Sequence, residues 1–111
     1  MGRLESMRVR RMSLKTTTFR SEKLRRIVAE QACVSCGKEG HTQAAHANLS
    51  EYGKGMSHKA SDAALMALCT ECHTELDQGK TMDKAERRDF QQTMIARTLT
   101  RLIELGRLVA A

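Results

Sequence analysis

The 111-residue chain has no proline and no tryptophan, and its aromatic side chains amount to two Phe and one Tyr. With 41% apolar residues and so few large ones, a chain of this length builds a single domain with a modest core, so something besides hydrophobic burial must hold it. No apolar run approaches the roughly 20 residues that span a bilayer as a helix, which excludes such a span, and no membrane partner is expected. No cleavable secretory segment is legible either. The expectation is therefore a cytoplasmic protein whose thiols stay reduced rather than pairing as disulfides.

Acidic residues are also scarce at one end. Residues 1–26 carry nine Lys and Arg against Glu5 and Glu22, a net +7, whereas the remaining 85 residues carry ten against eleven, a net −1. A basic arm on a near-neutral body is a footprint of phosphate-backbone binding, which needs charge but little shape. Arg8, Arg10, Arg11, Lys15 and Arg20 are the cations expected to contact a polynucleotide; a solvated leader is the plainer alternative. Met12 offers a second start, which would make the first eleven residues dispensable. We divide the chain into an arm, 1–20, and a folded domain, 21–111.

What the sequence does have is sulfur in a pattern. Cys33/Cys36 and Cys69/Cys72 are two hooks, each with a two-residue spacer that lets both sulfurs reach one ion at about 2.3 Å. Four thiolates in two hooks form the ligand set of a structural zinc site, and such an ion supplies on the order of 10 kcal/mol of folding free energy. A redox role is less economical than one shared ion. His46 and His73 are then left for chemistry.

The pattern between the hooks places the elements. Ser21 can cap a helix whose Leu24, Ile27 and Val28 share one face, running to about Gln31. Cys33 to Gly40 is a turn released by Gly37 and Gly40. Thr42 to Ala47 suits a short strand delivering His46. Residues 48–61 form a polar loop in which Gly53 and Gly55 bracket Lys54, and Ala63 to Leu68 lead as a second strand into Cys69. A short helix should start near Cys72. Thr81 can cap a long helix with Phe90, Met94, Thr98 and Leu102 at four-residue spacing, flanked by Ile95, Leu99 and Ile103 and ended by Gly106. Asp77 follows His73 by four residues, so on a helix both project from one face, as a shared ion requires. Glu75 points away from that pair and reads as a first-turn charge.

A strand bearing a histidine, a loop, a second strand ending in a thiol hook and a helix opening Cys-His resemble the ββα-metal layout of HNH endonucleases, also called His-Me finger nucleases. The segment Cys33 to Asp77, and in particular GKGMSHKASDAALMALCTECHTELD, is similar to small phage- and prophage-encoded members with a zinc hook, and the likeness extends through IARTLTRLIELG. The resemblance implies an α+β fold with a zinc-stapled ββα-metal core and flanking N- and C-terminal helices. It also implies metal-dependent hydrolysis of DNA phosphodiester bonds in phage DNA metabolism, alongside other phage DNA-processing proteins. On this likeness His46 is the general base, a task suited to imidazole because it titrates near neutrality. His73, with Asp77 or Asp62, would hold one catalytic divalent ion, Mg²⁺ or Mn²⁺. A homodimer would suit paired cuts.

Two positions depart from the family pattern. Ala45 stands where many members carry Asp or His before the base, and Ala64 stands where the central Asn is usual. Asp62 could supply the missing oxygen or orient the loop, and Asn48, two residues after His46 on the same strand face, could hold the imidazole or bind metal. Lys54 and Lys59 could meet a phosphate beside the Gly53 and Gly55 amides, and His58 reads as a surface residue. Two alternatives stay open. Cys33, Cys36, His41 and His46 have the spacing of a zinc knuckle, which binds single-stranded nucleic acid without cutting it; the scaffold could also bind DNA without turnover.

Overall fold

The computed structural model describes residues 18–52 and 59–111; the arm up to residue 17 and Lys54, with the glycines and His58 around it, lie outside them. The first helix, α1, runs Glu22–Ala29, with the Ser21 hydroxyl accepting from the Leu24 amide at 3.1 Å and Ile27 and Val28 on its buried side. This is the helix expected from the Ser cap and the apolar spacing. The hook turn follows, and Gly37 and Gly40 take φ of 86° and 85°, which a side chain would disfavour.

Strand β1, Thr42–His46, pairs antiparallel with β2, Leu65–Cys69, from Thr42 opposite Cys69 to His46 opposite Leu65. β2 starts two residues later than its apolar run suggests, because Asp62–Ala64 form a 3-10 turn capped by Ser61. A second 3-10 turn, Ser50–Tyr52, follows β1. All five β2 residues are buried, unlike the half-exposed β1. The reason is that β2 has an outer edge to hide. The Ala67 amide donates to Thr98 Oγ1 at 3.0 Å and the Ala67 carbonyl accepts from the Val34 amide at 2.9 Å, so helix and hook together cover that edge.

The second helix, α2, is Thr70–Gln78 and begins directly on the hook: the Cys69 sulfur accepts from the Cys72 amide at 3.5 Å and so caps the helix it ligates beside. Its start lies two residues before Cys72. The long helix, α3, is Lys84–Glu104. Thr81 does not cap it. Asp83 does, in a capping box in which Asp83 accepts from the Glu86 amide at 2.8 Å and Glu86 from the Asp83 amide at 2.9 Å. Thr81 instead donates to Glu75 at 2.7 Å, so Glu75 closes the α2–α3 turn rather than acting as a first-turn charge. Met94, Ile95, Thr98 and Leu102 are the buried stripe, with Phe90 and Leu99 half-buried; Ile103 has rotated out to 60% exposure. Gly106, at φ 73°, ends the chain's last turn as expected.

The described residues thus form a small α+β unit with a two-stranded sheet and three helices around one core, centred on Val28, Met66, Leu68 and Leu102. Among the described residues no helix is long and apolar enough to cross a membrane.

Candidate functional site

The four hook sulfurs converge within 4.8 Å of one another. Cys36 Sγ and Cys69 Sγ lie 3.7 Å apart, close to the roughly 3.8 Å edge of a tetrahedron with 2.3 Å metal–sulfur bonds. Backbone amides are aimed at the sulfurs as well, with Ser35 and Cys36 donating to Cys33 at 3.4 and 3.5 Å. Burial alone would raise the Cys33 thiol, but the amides of Cys36, Cys69 and Ser35 outweigh it and bring it down to about 6. Cys72 is pushed up to about 12, by burial first and by its hydrogen bond with Cys69 next. Neighbouring thiolates without a cation repel, so one sulfur ionises at another's expense. This set can hold a metal ion such as zinc, and its geometry and donor chemistry fit that ion. The knuckle set does not form: His41 is exposed and His46 is engaged elsewhere.

His46, at the end of β1, points its Nε2 at Asp62 Oδ1, 2.7 Å away. Asp62 is fully buried at the start of its 3-10 turn, and its other oxygen accepts from the Ser21 amide at 2.8 Å and from the Arg25 guanidinium. Burial would raise this carboxyl. The bonds from Ser21, His46 and Arg25, with the Arg25 charge, overcome that and hold it below the usual carboxylate range. An ionised Asp62 can only accept, so His46 Nε2 carries a proton and donates; in the neutral imidazole the lone pair then sits on Nδ1. Arg20 braces the same corner, donating to the carbonyls of Ala60 and Lys59 at 2.7 and 2.8 Å. Its guanidinium, expected on a polynucleotide, is bonded to these carbonyls while the side chain stays 41% exposed.

His73 and Asp77 do share one face of α2, with Nε2 and Oδ2 3.3 Å apart. His73 Nδ1 lies 2.7 Å from Gln43 Oε1 on β1. With Nδ1–H donating to that carbonyl, Nε2 and Oδ2 are two acceptors face to face, and a proton or cation belongs between them. His46, His73 and Asp77 line one cavity of about 650 Å³, together with Asn48, Lys59 and Arg87. A larger concavity, about 840 Å³, runs along the outer face of α3, lined by Asp89, Glu104, Arg97 and Arg101, with no histidine or cysteine on it.

The expected site residues therefore divide into groups. The cysteines come together, and so do His46, His73 and Asp77 around one cavity. Asp62 does not join the α2 pair: its oxygens are committed to His46, Ser21 and Arg25, and among the described residues no three ligand groups other than the cysteines converge. Asn48 makes no hydrogen bond to the imidazole; its backbone amide donates to Gln91 Oε1 at 2.6 Å, and it lines the cavity beside His46. Gln43, Arg25 and Gln91 were not expected at all. Gln43 is exposed on the strand face it shares with buried Ala45, and it, Arg25 and Gln91 give no local signal.

No curated protein and no solved structure matches the chain. Residues 10–106 match a family model, and the chain accordingly belongs to the family described as "Protein of unknown function (DUF968)".

Proposed function

We propose that this protein is a metal-dependent phosphodiesterase acting on DNA, built on the ββα-metal plan of HNH endonucleases. The observation that carries the reading is that two groups line one cavity: His46, its Nε2 held by a buried carboxylate, and the His73–Asp77 pair. On this reading Nδ1 accepts a proton from water as its oxygen attacks phosphorus, and the P–O3′ bond breaks. A Mg²⁺ or Mn²⁺ ion held by His73 and Asp77 would supply charge neutralisation for the phosphoryl and departing oxygens. Adjacent ligands of an octahedral ion with bonds of about 2.1 Å lie roughly 3.0 Å apart, which the 3.3 Å separation approaches. Zinc in the four-cysteine site is structural in this scheme.

Supercoiled plasmid incubated with zinc-loaded protein and Mg²⁺ or Mn²⁺ tests the reading. Nicking or linearisation is expected, abolished by EDTA and lowered about 10²- to 10⁴-fold in His46→Ala. Intact plasmid with the wild type, or equal cutting by His46→Ala, rejects it. A second reading, a zinc-containing nucleic-acid binder without turnover, is favoured by the two-residue ligand set on α2 and by buried Ala45 and Ala64 at the departing positions. It predicts DNA binding with the plasmid left whole.

A further inference from the structure

The cavity at His46 does not end at Arg87. It continues into a second concavity of about 490 Å³ over the first turns of α3, the two sharing Asn48, Arg87 and Gln91. Lys59 lines the first, Lys84 and Arg88 the second. Arg88 is neutralised by Glu51. Lys59, Lys84 and Arg87 have no carboxylate partner among the described residues, and the one acid on the lining of either concavity, Asp77, is paired with His73.

This clustering is out of proportion to a body whose net charge beyond residue 26 is −1. Arg87 is half-buried, and its guanidinium makes a single long contact, 3.4 Å to the Gly79 carbonyl. An arginine partly desolvated yet almost without hydrogen bonds presents a rigid fork of donors suited to a phosphate. Asn48, exposed beside it with its side chain unbonded among the described residues, adds a neutral donor of the kind that contacts backbone oxygens.

We infer that this trough is a second phosphate subsite, in which Arg87 and Lys84 bind a backbone phosphodiester of the polynucleotide next to the one presented to His46. The inference rests on the phosphodiesterase reading for which phosphate lies adjacent, but not for the binding itself. It moves part of the nucleic-acid affinity from the arm to α3.

The experiment measures the dissociation constant of a labelled DNA duplex for zinc-loaded His46→Ala protein over a range of KCl concentrations. Arg87→Gln and Lys84→Ala are added singly, with Arg107→Ala as the control; Arg107 is paired with Glu30 at the far end of α3. Each trough variant is expected to weaken binding about threefold or more and to flatten the log–log salt slope by about 0.9, the signature of one lost phosphate contact. Arg87→Lys should keep the slope. If wild-type protein cuts DNA, Arg87→Gln in that background should raise KM with kcat little changed. Slopes and affinities that match the Arg107→Ala control, or no DNA binding at all, overturn the inference. Flattened slopes in a protein that never cuts leave the subsite standing and remove the hydrolysis; unchanged slopes in a protein that cuts do the reverse.

Discussion

Asp62 carries more of the site than any other residue. Its carboxylate is buried, yet it collects the Ser21 amide, the Arg25 guanidinium and His46 Nε2, so one side chain fixes the entry of α1 and the orientation of the proposed base. Asp62→Asn should cost about 2 to 3 kcal/mol at pH 7, less than a fully buried pair because Arg25 is partly solvated. The pH dependence has a definite sign. Since the folded carboxyl is held below its ordinary value, its contribution is complete above that value and lost as pH falls through the folded one. Urea denaturation of wild type and variant should show a gap at neutral pH that closes below about pH 4. A gap that persists unchanged well below that pH would contradict the assignment. The same variant should slow plasmid cutting by at least about tenfold, because the proposed base loses the carboxylate charge that orients its imidazole.

At the level of elements, α3 does two jobs that its amphipathic stripe does not announce. Thr98 sits in the stripe as if it were apolar filler, but its hydroxyl accepts the Ala67 amide and donates to the Met94 carbonyl at 2.8 Å. Thr98→Val leaves a buried strand amide unpaired and should cost about 1 to 3 kcal/mol in thermal or chemical melts, more than its near-identical volume suggests. Asp83→Ala, which removes only the cap, should cost about 1 kcal/mol.

What was legible in the sequence was local. The Ser21 cap, the positive-φ glycines, the strand that carries His46, expected one residue longer, and the Gly106 stop all follow from neighbours within a few residues. The Asp83–Glu86 box was equally local, and the nearby Thr81 obscured it. The long-range bonds were not legible. Arg25 to Asp62, Gln91 to Asn48 and Gln43 to His73 join residues 30 to 43 apart, and no spacing rule connects them. Asp62 itself was readable as important but not as the partner of His46, since its role depends on where α1 comes to rest.

For the whole molecule the arithmetic of burial is thin: the fully buried side chains include only a few large apolar ones, Met66, Leu68, Leu102 and Val28. The sulfur cluster joins what the core alone holds weakly, tying the turn after α1 to the junction of β2 and α2, with Arg97 and Arg101 donating to the Val34 and Ala32 carbonyls from α3. Stripping zinc should therefore melt the fold rather than loosen one loop. Far-ultraviolet circular dichroism after chelation should show loss of most helical signal, recovered on adding one equivalent of zinc, with proton release on binding as thiols ionise. Retention of a cooperative melt in zinc-free protein would show that the core suffices.

Cys69 is at once the last residue of a strand, a member of the sulfur cluster and the cap of the helix that carries His73 four positions on. A chelator as strong as EDTA, used to empty the proposed His73–Asp77 ion site, also threatens the anchor from which that site is hung. Inhibition by EDTA in this protein is accordingly ambiguous on its own. Only a weaker sequestrant, titrated while the bound zinc is counted, can tell an enzyme deprived of its reagent from one that has lost its hinge pin.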